Sequence, residues 1–127
     1  MKAVFFMGRA IFGGFFLYNG INHFRETQAL AQYAGSKNVP EPETMVLASG
    51  AAMIAGGASI ILGVKPRLGT LAVVGFLAAV SPLFHDFWAA RGPQQKQNEL
   101  INFSKNIALL GAALALMGVE EWPASFE

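Results

Sequence analysis

Histidine and aspartate interrupt an apolar sequence in the stretch SPLFHDFW, residues 81–88. Ser81, His85 and Trp88 recur there at spacings of i, i+4 and i+7, which places them on one face of a helix. Histidine titrates near neutral pH and can pass a proton to or from a bound group. Asp86 stands next to His85, where a carboxylate can relay that proton to water. The stretch is therefore a candidate site for proton transfer.

Two other stretches carry polar residues at helical spacing. Asn19 and His23 lie four residues apart, on a stripe that begins at Arg9. Asn102, Lys105 and Asn106 follow at i, i+3 and i+4. An ammonium group can stabilise an anion that develops on a ligand. These residues become candidates for one site if the fold brings the three stretches together.

The composition predicts the helices that would bring these three stretches together. Hydrophobic residues make up 54% of the chain and charged residues only 13%, against about 25% charged in a soluble domain. A membrane-spanning helix needs about 20 mostly apolar residues. We predict one membrane domain over residues 1–127, with spanning helices at about 3–23, 44–64, 67–88 and 100–119. A soluble bundle would need polar outer faces, which these runs lack.

The links between these helices predict an up-and-down antiparallel four-helix bundle, all-α, with a short interfacial helix near residues 27–34. Gly50 and Gly57 in the second span, and Ala108, Ala112 and Ala115 in the fourth, form small-residue stripes typical of helix packing in lipid. In such a bundle one end collects every polar candidate. We predict a ligand-binding site there, formed by Asn19, His23, Ser81, His85, Asp86, Trp88, Asn102, Lys105 and Asn106.

Three other interpretations remain open for this cluster. It can lie in the headgroup zone as an ordinary aromatic belt with charged neighbours. Asp86 and Lys105 can form a purely structural ion pair between two helices. His23 and His85 can ligate a haem. The absence of cysteine excludes disulfides and Cys-ligated metals, no metal site is predicted, and a net charge of +1 gives no case for nucleic acid.

The sequence resembles the DoxX family of membrane proteins. The resemblance rests on GRAIFGGFFLYNGINHF (8–24), KNVPEP (37–42), SGAAMIAGGASIILGVKPR (49–67), FHDFW (84–88) and NFSKNIALLGAAL (102–114). It implies a compact four-helix membrane protein. The family's name-giving members resemble the small membrane subunit of a thiosulfate:quinone oxidoreductase. More distant relatives include quinone-linked redox proteins and a chaperone for neurotransmitter-gated channels.

Two functions follow as hypotheses, and whether the protein is an enzyme stays open. In the first, a membrane quinone enters a cavity lined by Phe16, Phe84 and Phe87, and His23 or His85 hydrogen-bonds its carbonyl. The protein would then be an accessory subunit that takes electrons from a partner. In the second, it is a non-catalytic assembly factor, chaperone or structural subunit of a larger membrane complex. Both place it in the lipid bilayer with a membrane-protein partner or as a homo-oligomer. We expect the bacterial inner membrane, with cytoplasmic termini.

Overall fold

The computed structural model describes residues 2–119, 121–123 and 125, and the side chain of Phe84 lies outside that description. Within these residues the chain forms helices and no strand, which confirms the predicted all-α fold. The helices are α1 (Lys2–Arg25), α2 (Thr27–Ser36), α3 (Pro42–Leu62), α4 (Pro66–Phe84) and α5 (Pro93–Met117), with a 3-10 turn at Phe87–Ala89. Every helix except the short α2 is long and apolar enough to cross a membrane. The protein is therefore an integral membrane protein, and α2 is the predicted short helix between the first two spans.

Glycines set the close contact between α1 and α3. A Cβ added at Gly57 would lie 2.6 Å from the carbonyl oxygen of Gly13, and one added at Gly20 would lie 2.8 Å from that of Gly50. Real side chains do not tolerate such approaches, so both crossing points require glycine. Association of helices in lipid depends on this kind of backbone contact. The predicted glycine stripe of the second span is thus a packing surface.

The remaining spans follow in order around the bundle, with α4 packed on α3 and α5 packed on α4. Phe16, Ile60, Val73 and Leu77 form the centre of the buried core. The turn between α3 and α4 is tight because Gly63 adopts the left-handed conformation, with φ of 73°. These contacts hold α1, α3 and α4 in fixed positions relative to one another.

The predicted alanine stripe on α5 does not pack as expected. Ala108, Ala112 and Ala115 are exposed, and Ala113 is the buried alanine of this helix. The prediction was wrong because α5 contacts the bundle mainly through α4, so only a narrow face of α5 is covered. The small-residue face is directed outward.

Two helix ends differ from the sequence prediction. The third span stops as an α-helix at Phe84 instead of residue 88, and the His85 N–H closes its last turn on the Ser81 carbonyl at 3.1 Å. Pro82 weakens this turn because it has no N–H to donate to the preceding turn. His85 and Trp88 therefore do not share a helical face with Ser81.

The fourth span begins at Pro93, about seven residues earlier than predicted. Proline is favoured at the first helical position, and the polar residues that follow, QQKQNEL, are mostly good helix formers. Lys105 consequently lies about 18 Å along α5 from its start, at ~1.5 Å per residue. The added residues are polar, so Lys105 stays near the start of the apolar part of α5.

The opposite end of the bundle is closed by the C-terminal segment. Arg9 is only 2% exposed and donates a hydrogen bond to the carbonyl of Pro123. Its guanidinium also lies 4.9 Å from the ring centre of Phe6 and 5.8 Å from that of Trp122. Trp122 packs edge-on against Phe5 at 5.4 Å. This contact ties the two ends of the chain together.

Candidate functional site

A cavity of about 590 Å³ lies in the half of the bundle where the polar stretches were predicted to meet. All five helices contribute to its wall, which is largely apolar. Phe16, Met53 and Phe76 belong to that wall, and Leu30 and Tyr33 of α2 cover one side of it. The short helix α2 is thus part of the enclosure.

Of the three phenylalanines expected to line a ligand site, Phe16 does so. Phe87 packs edge-on against Phe103 at 5.4 Å and is not part of the cavity wall. The side chain of Phe84 lies outside the described part of the chain. Ring contacts with the ligand would therefore come from α1 and α4 within the span, where Phe15 and Phe76 also face the cavity.

His23 is held in one tautomer by its surroundings. Its Nδ1 lies 3.0 Å from the carbonyl oxygen of Val46 and 3.1 Å from Oγ of Ser49. A carbonyl oxygen can only accept, so Nδ1 carries the proton and donates it to Val46. In the neutral form of the ring with its proton on Nδ1, Nε2 is the nitrogen that can accept a hydrogen bond. His23 lines the cavity, so this nitrogen is available to a ligand.

Lys105 and Asn106 line the same cavity from α5. Lys105 Nζ lies 5.7 Å from the ring centre of Phe15, and no carboxylate lies within 4.0 Å of it in the described part of the chain. Asn106 is 6% exposed, and its amide makes no hydrogen bond to any described residue. His23, Lys105 and Asn106 are called the cavity cluster below. Each of the three has hydrogen-bonding capacity that the described structure does not use.

A second group of polar residues lies beside the cavity and is paired internally. Lys37 Nζ lies 2.7 Å from Oδ1 of Asp86 and 3.8 Å from Oε2 of Glu99. Glu99 Oε2 also accepts a hydrogen bond from Tyr33 Oη at 3.2 Å, and its Oε1 lies 3.5 Å from Nδ1 of His85. We call these five residues the ion-pair cluster. It joins α2, the link after α4 and the first turns of α5.

Among the described residues, Asp86 and Lys105 do not form the structural ion pair that was one of the open interpretations. Asp86 pairs with Lys37, because the turn after α2 brings Lys37 to the link that follows α4. Lys105 lies further along α5, on the cavity side of that link. This leaves the charges of Asp86 and Lys105 in different clusters.

His85 belongs to both regions. It lines the cavity, and its Nδ1 faces the carboxylate of Glu99. A carboxylate at this position can accept a hydrogen bond from Nδ1 and so orients the imidazole. His85 therefore connects the cavity to the ion-pair cluster.

The other predicted residues take local roles. Asn19 lines the cavity, but its amide donates to the carbonyl of Phe15 at 2.7 Å. Ser81 is buried and donates to the Leu77 carbonyl at 2.6 Å. Trp88 is 59% exposed within an aromatic group with Phe87 and Phe103. Asn102 donates to the carbonyl of Asn98 at 3.0 Å, on its own helix. A ligand-binding role for these residues stays a prediction.

Tyr33, Lys37 and Glu99 were not predicted from the sequence. Burial and the negative charges of Glu99 and Asp86 raise the pKa of Tyr33 to about 12. Its phenol therefore keeps its proton at neutral pH and acts as a donor to Glu99. The helical pattern of residues 27–34 indicated that Tyr33 lies on one face of α2, but only the direction of α2 across the bundle shows what that face meets.

The described residues include no group of three or more His, Cys, Asp or Glu side chains placed to hold a metal ion. The arrangement instead suits an organic ligand. It combines an apolar wall, a histidine whose Nε2 is not engaged in the described structure, an ammonium group and an amide, which are groups that orient a polar head on an apolar body.

Comparison with known proteins identifies the family but gives no closer match. The family model of DoxX matches residues 4–86, which cover α1 to α4 and end at Asp86. Comparisons with curated proteins and with solved structures give no match. The matched residues make up more than half of the 127-residue chain and include the spans that form most of the cavity wall. The chain belongs to the DoxX family.

Proposed function

We propose that this protein binds a membrane quinone, or a lipid-soluble ring of similar form, as an accessory subunit of a membrane redox system. The cavity with the polar cavity cluster at its wall is the observation that supports this. Its volume of about 590 Å³ lies within the range of about 300–1,000 Å³ typical of small-molecule sites. The bacterial inner membrane, which contains quinones, is the proposed location.

The position of the cavity favours a ligand that arrives from the bilayer. Phe15, Gly75 and Leu83 line the cavity and are themselves exposed on the surface of spanning segments. A lipid-soluble molecule could therefore enter sideways, without crossing the aqueous face. The apolar wall would hold its ring and the beginning of its tail.

The hydrogen-bonding groups suit a ring that changes its protonation. Neutral His23 presents Nε2, which accepts a hydrogen bond from a ring hydroxyl or takes its proton. The amide of Asn106 can donate to a ring carbonyl. His85 offers a second route, since a proton on its ring can pass to Glu99 and from there to the polar link. These residues bind the ring and move protons, whereas the electrons must come from a partner protein.

The proposal is tested by identifying what the protein retains. Purification in mild detergent followed by organic extraction and mass spectrometry should recover a quinone in near-stoichiometric amount. Addition of a short-chain quinone analogue should raise the melting temperature, and the variant Gly75→Leu, which fills the exposed wall, should reduce that rise. No retained quinone and no quinone-dependent shift would contradict the proposal. An absorption spectrum of the same sample tests the haem alternative, which requires a Soret band.

A second candidate function is a non-catalytic assembly or structural subunit. The observation that favours it is the outward face of α5, where Ala108, Ala112 and Ala115 are exposed. Small residues let helices approach closely in lipid, so this face suits another membrane helix. A membrane protein that co-purifies with the wild type and is lost from Ala112→Leu would support this function. Retention of that partner by the variant would exclude this face as its contact.

A further inference from the structure

We propose that Lys105 and Asn106 form an oxyanion subsite, so that the cavity prefers an amphipathic anion to a neutral quinone. The chemical class is an apolar ring bearing an acidic hydroxyl, as in a 2-hydroxy-1,4-naphthoquinone. This inference rests on the proposed function and specifies its ligand.

The charge of Lys105 has no counterpart in the described structure. The nearby acidic groups are engaged elsewhere, since Asp86 contacts Lys37 at 2.7 Å and Glu99 contacts Lys37, His85 and Tyr33. The contact with the ring of Phe15 at 5.7 Å attracts the ammonium group but supplies no negative charge. A charge within a spanning segment is costly and normally faces a partner, a ligand or a water-filled cavity. Lys105 is an exposed side chain that also lines the cavity, so an anion bound there can supply its counter-charge.

Asn106 gives an independent indication of a ligand. Its side chain is more than nine-tenths buried, lines the cavity and has no hydrogen-bond partner among the described residues. The amide of Asn106 is open to the cavity and makes no hydrogen bond within the described chain, so it can donate to a ligand oxygen there. Because Asn106 is the next residue after Lys105, one oxygen atom or two adjacent oxygens can contact both side chains.

A ligand that carries an acidic hydroxyl binds as an anion, so the proton of that hydroxyl must pass to another group. The O–H bond breaks, the electron pair stays on the ligand oxygen, and the proton passes to Nε2 of His23 or to water. His23 is suited to accept it because Nδ1 already donates to Val46 at 3.0 Å. The resulting anion is held by the ammonium group of Lys105. No oxidant or reductant takes part in this step.

A fatty-acid carboxylate shares this chemistry, so the test uses three probes. These are a 2-hydroxy-3-alkyl-1,4-naphthoquinone, its 2-methoxy ether, which cannot ionise, and palmitate. Affinities are measured by calorimetry on the full-length protein in nanodiscs at neutral pH. We expect the hydroxyquinone to bind at least about tenfold more tightly than the ether, the equivalent of one charge-assisted hydrogen bond.

Variants of the subsite then assign the preference to its residues. Lys105→Met should bring the hydroxyquinone and the ether to similar affinities, and Lys105→Arg should keep the preference. Asn106→Leu should reduce it while leaving the lysine in place. Lys96→Met is the matched control, because Lys96 is an exposed lysine of the same helix outside the cavity wall, and it should bind like the wild type.

The outcomes separate this inference from the function on which it rests. Equal binding of the hydroxyquinone and the ether by the wild type would overturn the oxyanion subsite and leave quinone binding supported. Binding of palmitate alone, lost in Lys105→Met, would support the subsite and overturn the quinone proposal. Failure of all three probes to bind would overturn both. Preference for the hydroxyquinone that persists in Lys105→Met and Asn106→Leu would overturn the assignment to these residues.

Discussion

The ion-pair cluster and the cavity cluster lie side by side but differ in how far the chain satisfies their charges. In the ion-pair cluster, Lys37 contacts both carboxylates, Tyr33 donates to Glu99, and His85 faces the same carboxylate. In the cavity cluster, Lys105 has no described carboxylate partner and Asn106 has no described hydrogen bond. Polar residues in a spanning region are functional candidates by default. In this protein the residues whose hydrogen-bonding capacity is unused, Lys105 and Asn106, are the stronger candidates for ligand binding.

The two clusters should therefore respond in opposite ways when a charge is removed. The ion-pair cluster is expected to stabilise the fold, because each of its members compensates another. The cavity cluster is expected to cost stability in the unliganded protein and to recover it on binding. Four substitutions test this difference.

The largest effect is expected for Lys37→Met. Asp86 and Glu99 would both lose their cation, and partly buried carboxylates without a partner are strongly destabilising. The side chains are 11–25% exposed, so we expect a loss of about 2 kcal/mol, below the ~3–5 kcal/mol found for fully buried pairs. Unfolding by SDS titration measures it, with Lys96→Met as the exposed control. An unchanged free energy of unfolding would show that the ion-pair cluster does not stabilise the fold.

Tyr33→Phe should cost about 1 kcal/mol, since it removes one hydrogen bond to a carboxylate and little else. The pKa of Tyr33 is raised to about 12, above the unfolded value of about 10. The contribution of the phenol is thus complete below about pH 10 and is lost as the pH rises toward the folded value. The stability difference between wild type and variant should stay constant from about pH 7 to 9 and shrink above it. A difference that shrinks already near neutral pH would contradict this assignment.

Lys105→Met should act with the opposite sign to Lys37→Met. It removes an ammonium group that the described chain does not pair, and its stem remains apolar. We expect the unliganded protein to gain about 0.5 kcal/mol, since a charge in the membrane is removed at the loss of one weak ring contact. The same SDS titration applies, after removal of any retained ligand. A loss as large as that of Lys37→Met would place Lys105 among the structural charges.

The smallest effect is expected for Asn102→Ala. Its amide bonds to the carbonyl of Asn98 on the same helix and contributes to neither cluster. Stability should change by less than about 0.5 kcal/mol, and ligand-dependent melting shifts should be those of the wild type. Asn106→Ala, one helical turn away, is the matched comparison and should reduce the melting shift. Equal behaviour of the two variants would remove the distinction between their positions.

The fold was predictable from the sequence because the bilayer imposes the length and composition of its spans. The four apolar runs and the short helix between the first two predict the observed elements. The ends of the helices were harder to predict from the sequence. The stop of the third span at Phe84 depends on the turn around His85 and Asp86, which an apolar pattern does not show. The start at Pro93 falls in a polar stretch, QQKQNEL, that an apolar pattern cannot reveal.

The candidate site was predicted only in part, for a related reason. The up-and-down topology is sufficient to bring His23, Lys105 and Asn106 to the same half of the bundle. The pairing of Lys37 with Asp86 depends on how α2 lies across that half, and nothing in the periodicity of residues 27–34 gives that direction. Glu99 was treated as part of a polar link, and only the earlier start of α5 places it on a helix facing Lys37.

The contact between Arg9 and Pro123 has a consequence for the order in which the molecule is built. These residues are 114 positions apart, so α1 enters the membrane long before its partner carbonyl has been synthesised. α1 therefore gains this contact only after α3, α4 and α5 have been synthesised. A ribosome-bound chain that ends before Trp122 should hold α1 less firmly than one that includes Trp122 and Pro123, because Arg9 and Phe5 lack their contacts until those residues are made.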